Sequence, residues 1–254
     1  MSENNSVCIV TPTTGSSVLK DCIESVQSLF VPEGITVKHL IVIDGQEYDE
    51  KVNEILKTVS WSKIIEPVYL SLHDNIGGNG FVSHRTYASA PYLVNEKWIT
   101  FLDQDNFVSE DHIAAFKESV IDKGCDWGFT RRNIVDPSGN FVCKDECESL
   151  GPDVCTCLNS SDYLVDTNCY FFNREKVAVK ISPVWYGKAR QPNEMERDRA
   201  VCLFLKHNFK NYSGTNKFTL NYRVAGRSDS VQAEFFLRGN QIKKQMNDII
   251  TIGS

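Results

Sequence analysis

Asp103-Gln104-Asp105 is the part of this sequence best suited to chemistry. Two carboxylates one residue apart, directly after the apolar run Trp98-Ile99-Thr100-Phe101-Leu102, can both aim at a hard cation such as Mg²⁺ or Mn²⁺. A cation held there would bridge the oxygens of a diphosphate and neutralise the charge that grows on it as it leaves. An Asp-x-Asp triplet alone is also an ordinary polar turn capping the next helix. The buried strand in front of this one gives it weight. A second cluster is made of thiols: Cys143, Cys147, Cys155 and Cys157 fall within 15 residues of an irregular stretch. Four thiolates that close can form a tetrahedral structural zinc site. The spacing C-x3-C-x7-C-x-C is not a common zinc pattern, and free thiols or a local disulfide are the competing readings.

These residues need elements to hold them. Val7-Cys8-Ile9-Val10 reads as a buried strand stopped at Thr11-Pro12. Ser16 or Ser17 can then cap a helix whose inner face is Val18, Leu19, Cys22, Ile23, Val26, Leu29 and Phe30. His39 to Gly45 is a second strand ending in Asp44, and a helix with Val52, Ile55, Leu56 and Val59 inward follows it. Pro67–Leu72 and Trp98–Leu102 read as the third and fourth strands. Ser109 opens a helix with Ile113, Phe116, Val120 and Ile121 inward and Gly124 as its stop. Strands alternating with helices imply an α/β fold with a mostly parallel sheet, whose ligands bind beyond the carboxyl ends of the strands.

The remainder is less regular. Residues 131–165, rich in Asp, Gly, Pro, Ser and Cys, read as a long loop. Cys169–Phe172 reads as a strand, Glu194–Leu205 as a helix, Asn221–Val224 as a short strand and Val231–Met246 as a final helix. The expected organisation is a single compact domain with an α/β half over 1–130 and, over 131–254, a half with an irregular Cys-rich excursion and a C-terminal helix.

With 254 residues, 41% hydrophobic and 24% charged, the chain has ordinary globular usage and can bury a core. A net charge of −6 argues against nucleic acid as the main partner. No stretch approaches the roughly 20 apolar residues of a membrane span, and Met1–Ser6 is no signal peptide. A cytoplasmic location with most of the nine cysteines as free thiols is therefore expected.

The order of features resembles the nucleotide-binding half of glycosyltransferase family 2, the large inverting GT-A group. The matching phrases are Cys8-Ile9-Val10-Thr11-Pro12-Thr13, Leu40 to Asp44, Asn75-Ile76-Gly77, Arg85-Thr86 and Phe101-Leu102-Asp103-Gln104-Asp105-Asn106, across residues 7–120. The resemblance implies a Rossmann-like GT-A fold and a donor site for a nucleoside-diphosphate sugar, uridine-linked. In that site Thr11, Pro12, Thr13 and Asp44 would face the base, and Arg85 would lie near the diphosphate or base. Asn75 and Gln104 would line the site, Asp103 would contact the ribose or a metal-bound water, and Asp105 would be the main metal ligand. The family's general base is the aspartate of a Glu-Asp pair opening a late helix. Here Asp198 stands at that position in Glu194-Met195-Glu196-Arg197-Asp198, with Glu196 and Glu194 as rivals. A carboxylate at a helix N-terminus is also a routine stabilising feature. Asp166 to Arg174 resembles the family's acceptor-side strand.

Trp185 and Tyr186, in an aromatic loop, could offer a face to the acceptor sugar, with a packed core contact as the alternative. One departure stands out. Where many members place a histidine after a late Tyr-Arg phrase, this chain has Tyr222-Arg223-Val224-Ala225-Gly226-Arg227, leaving Arg227 to neutralise diphosphate charge. The expected activity is metal-dependent, inverting sugar transfer to an acceptor hydroxyl. A sugar-nucleotide nucleotidyltransferase would need a glycine-rich first loop, and only Gly15 is present. A degenerate GT-A binding module fits the missing histidine, and an enzyme acting on DNA bases fits poorly with the acidic charge.

Overall fold

The structure, a computed structural model, describes residues 5–157, 159–189, 195–225 and 231–252. Its first half is built from four parallel strands: β1 (Asn5–Thr13), β2 (Ile35–Ile43), β3 (Ile65–Ser71) and β4 (Trp98–Phe101), side by side in the order β3-β2-β1-β4. Side chains alternate across β2. Ile41 and Ile43 meet Leu19 and Ile23 of α1 (Leu19–Gln27) and Val52 of α2 (Asp49–Leu56), while Leu40 and Val42 join the larger core cluster.

Pro12 does not stop β1. The strand runs on to Thr13, paired with β2 throughout. Its pairing with β4 ends at Val10, so the missing N–H of Pro12 costs no ladder bond there. Neither serine caps α1 by side chain; the helix starts at Leu19, and the Ser16 carbonyl accepts the Leu19 N–H.

A helix absent from the sequence reading, α3 (His84–Leu93), precedes β4. Its polar residues and the internal Pro91 disguise the helical period. After β4 come the two-residue β5 (Phe107–Val108) and α4 (His112–Phe116). α4 starts three residues later than expected, passes into a π-helical turn over Lys117–Ile121, and stops by Gly124, whose φ of +67° suits glycine.

The stretch 131–165 is not a long loop. It contains most of β6 (Trp127–Val135), then β7 (Phe141–Lys144), β8 (Gly151–Thr156) and β9 (Asn159–Leu164); β8 and β9 form a separate antiparallel pair. Turn-forming residues between short strands hid them. The boundary at 130 falls inside β6. The chain continues with β10 (Tyr170–Asn173), α5 (Val179–Trp185), α6 (Arg197–Asn208), β11 (Tyr212–Arg223) and α7 (Ala233–Ile252). β11 is much longer than the expected Asn221–Val224, because register shifts and Asn216 at φ +56° break its alternation.

β10 enters the sheet antiparallel between β4 and β6, giving the order β3-β2-β1-β4-β10-β6-β11-β5 with β7 beside β6. Trp98, Phe171 and Phe116 stack face to face, at 5.0 and 4.5 Å between centroids, and lock β4, β10 and α4 together. The result is a mixed α/β domain of GT-A type, with a mostly parallel sheet flanked by helices. No helix among the described residues is long and apolar enough to cross a membrane.

Candidate active site

The carboxyl ends of β1, β2 and β4 open onto a cavity of about 230 Å³, lined by Pro12, Thr13, Asp44, Asn75, Gly77 and Gln104 among others. Five of the residues expected at a donor site therefore meet there. Thr11 does not. It is fully buried one turn of the pleat deeper, and its hydroxyl bonds to His39 Nε2 at 2.9 Å.

Asp44 spends its carboxylate on the neighbouring loop: Oδ1 accepts the Ile76 N–H at 2.7 Å and Oδ2 the Gly77 N–H at 2.9 Å. Burial pushes its pKa up, and these two N–H groups offset only part of that rise. Gly77 is required by this approach, since a Cβ would stand 2.2 Å from the Val82 carbonyl oxygen and 2.6 Å from Asp44 Oδ2. Asn75 Oδ1 is buried without a partner.

Gln104 ties the metal-type triplet to the loop after β1. Its Oε1 accepts the Thr13 hydroxyl (2.7 Å), the Ser16 N–H (2.9 Å) and the Thr14 N–H (3.1 Å). Asp103 is tied from the other side: Oδ1 accepts the hydroxyls of Ser83 (3.2 Å) and Tyr87, and Oδ2 accepts from Asn168 Nδ2 (2.8 Å). Asp103 retains one lone pair on Oδ2, and the half-buried Asp105 is the other carboxylate of the pair. Among the described residues, no group of three or more His, Cys, Asp or Glu stands ready to hold a metal. The pair fits a cation only when a diphosphate and water complete its shell. Arg223 Nε donates to the Asp105 carbonyl at 2.9 Å and fixes this turn.

Asp198 is the second residue of α6. Its Oδ1 accepts the Thr167 hydroxyl at 3.1 Å and lies 3.3 Å from His84 Nε2. Burial alone would raise its pKa, but His84, Thr167 and then Arg132 outweigh it and hold the carboxyl below the usual carboxylate range. It is ionised at neutral pH and able to accept a proton. Glu196, its rival, lies with Oε2 3.4 Å from Arg199 Nε. Glu194 and Arg227 lie outside the described residues.

Thr167 and Asn168 connect the two carboxylates: consecutive residues hold Asp198 and Asp103. Their neighbour Asp166 pairs with the buried Arg132, which also binds Asp145 (2.8 Å) and Glu148 (2.9 Å). Burial, with Asp198 and Asp103 close by, pushes Asp166 up to about 6 even against Arg132. Ser83, His84, Tyr87, Thr167 and Asn168 were not read as site residues from the sequence. Asp166 to Arg174 had been marked as acceptor-side, but nothing in single-sequence spacing assigns its hydrogen bonds.

Arg85 is not on the cavity wall. Its guanidinium lies 3.3 Å from the Phe81 ring centroid and 5.3 Å from that of Tyr186, and Nη1 donates to the Ile76 carbonyl. Trp185 is a core residue, 1% exposed among His84, Tyr87, Phe101 and Tyr170, and offers no face to a ligand. The packed reading wins there because Trp185 ends α5 facing the sheet, whereas Tyr186 is 61% exposed. The four clustered cysteines do not meet as a ligand set among the described residues. Cys147 is buried under α7, where a Cβ on Gly239 would come 2.5 Å from its Sγ, and Cys157 Sγ donates to the Glu146 carbonyl.

The fold and cavity define an α/β, GT-A-type chain with an opening of about 230 Å³ at a strand-end crevice. No family model and no curated protein sequence matches it. Solved structures do match. TarS 1-349 from S. aureus in complex with UDP-GlcNAc superposes with a TM-score of 0.55 at 14% identity, covering 92% of this chain and 64% of that one. TarS 1-349 in complex with UDP gives 0.53 at 14% identity, over 87% and 60%. At this identity the likeness is one of fold, and this chain spans less than two thirds of those structures.

Proposed function

We propose that the protein is a glycosyltransferase that moves a sugar from a nucleoside-diphosphate sugar, uridine-linked, to an acceptor hydroxyl with inversion. The observation that carries this reading is the pairing through Thr167 and Asn168. It joins a donor-side carboxylate beside the cavity to an ionised carboxylate at a helix N-terminus. The complexes of the structurally similar TarS with UDP-GlcNAc and UDP support a nucleotide-sugar donor.

In this reading the diphosphate sits at Asp103-Gln104-Asp105. Asp105, with one lone pair of Asp103, would hold Mn²⁺ or Mg²⁺, which supplies charge neutralisation for the leaving diphosphate. Asp198 takes the proton of the acceptor hydroxyl as that oxygen bonds to the anomeric carbon and the bond to the nucleoside diphosphate breaks. Tyr186, exposed beside Arg85, forms part of the acceptor side.

Calorimetric titration of UDP and GDP, with and without Mn²⁺, on wild type and Asp105→Ala tests it. The expected result is Mn²⁺-dependent binding of UDP that the substitution abolishes. Absence of binding of either nucleotide under any metal would overturn the donor site and leave a binding module on a transferase fold.

A further inference from the structure

His84, the first residue of α3, is 7% exposed, and Nε2 lies 3.3 Å from Asp198 Oδ1. Its ring is wedged against Trp185 (5.7 Å between centroids) and Tyr87 (6.2 Å), which leaves it little rotamer freedom. Its neighbour Ser83 donates to Asp103. Two consecutive residues at the start of α3 therefore reach the same two carboxylates that Asn168 and Thr167 reach from the opposite side. The carboxylates are gripped twice.

Resting on the reading of Asp198 as base, we propose that His84 is a positioning residue for the transfer: with Thr167 it fixes Asp198 Oδ1, so that Oδ2 is the oxygen presented to the acceptor hydroxyl. The geometry carries this assignment. The Thr167 hydroxyl donates to Oδ1 and His84 Nε2 lies 3.3 Å from the same oxygen, while Oδ2 takes no hydrogen bond among the described residues. A carboxylate held by one oxygen on two sides cannot rotate about its Cβ–Cγ bond without losing both. That pre-sets the basic lone pair before the acceptor arrives. Nδ1 is buried without a hydrogen-bond partner among the described residues. An ordinary core histidine would satisfy its ring without converging on a carboxylate that a second donor already orients. The other charged groups near the pair are Asp103, Asp166 and Arg132.

Two substitutions separate donation from space filling: His84→Phe keeps a ring without a donor, and His84→Gln keeps an N–H donor. UDP release from UDP-GlcNAc with Mn²⁺, water as acceptor, is followed against pH, alongside a ¹³C titration of the Asp198 carboxyl that needs no turnover. For His84→Phe, kcat is expected to fall about tenfold or more with UDP affinity unchanged. Its acidic limb and the Asp198 titration should both move to higher pH, because the ionised form has lost a donor. His84→Gln should restore both. An Asp198 titration identical in wild type and His84→Phe, or a Gln variant as impaired as the Phe variant, overturns the proposal. Full turnover by Asp198→Asn, whatever the His84 variants do, would instead sink the assignment of the base.

Discussion

Gln104 is the middle residue of the acidic triplet, yet it makes more of the site than its position suggests. One side-chain oxygen gathers Thr13, Thr14 and Ser16 and so shapes the cavity floor. Gln104→Ala leaves two backbone N–H groups unpaired. It should weaken UDP binding by about 1–3 kcal/mol, read by calorimetry, with a smaller fall in melting temperature. Gly77→Ala forces a Cβ against the Val82 carbonyl and Asp44. Its expected cost is about 1–3 kcal/mol of stability, measured by urea denaturation, together with lost UDP affinity. On the proposed function, Asp198 sets the acidic limb of turnover. Since its pKa is lowered, activity should persist through mildly acidic pH and fall only below the ordinary carboxylate range. A limb at neutral pH would contradict that. The metal-type triplet and Asp44 were legible as candidates because strand ends mark them, and Asp198 through the family resemblance, with Glu196 and Glu194 as rivals. The residues that orient them were not, because Ser83, Tyr87 and Asn168 are ordinary types whose value appears only when α3 and the 166–168 turn meet.

At the scale of elements, the buried Arg132 joins β6 to the segment after β7 and to Asp166 beside the site. Removing the guanidinium strands the buried Asp145 and Asp166, while Glu148 keeps its pairing with Arg199. Arg132→Ala is expected to destabilise by about 3–5 kcal/mol, measured by denaturant titration, and to disturb Asp198 through the 166–168 turn. β1 to β4 were readable from apolar runs of strand length, and α1 and α2 from a clean helical period. β7 to β9 were not: they are short, several residues are half-exposed, and the polar turns between them dominate composition; nine-residue β6 carries Arg131, Arg132 and Asn133 in its run. Trp185 takes the packed alternative rather than the acceptor face. A tryptophan near a glycine and a proline looks like a loop residue until α5 turns it toward the sheet.

For the whole molecule, the titrating groups pull stability in two directions. Burial would raise Asp145, but Arg132 and the N–H groups of Ser149 and Glu148 lower it. Its contribution is present above the ordinary carboxylate range and is lost as pH falls through its own lower pKa. Asp166, raised to about 6, acts oppositely. The folded state keeps a proton that the unfolded chain releases near pH 4 (about 3.9 for a free Asp), so this contribution declines as pH rises from about 4 to 6. Melting temperature against pH should therefore slope downward across that window in wild type and flatten in Asp166→Asn. An unchanged slope in the variant would contradict the assignment.

The strand order also bears on how such a chain can be recombined. β10, from late in the sequence, lies between β4 and β6, and β6 itself crosses the position where a donor half and an acceptor half would be divided. On the proposed function, the donor and acceptor sides share one sheet and would not be exchangeable as modules. A chimera joined near residue 130 would break the central pairing of both parents. If the chain transfers sugar as proposed, its acceptor preference would be altered by grafting loops onto this scaffold, and not by exchanging halves.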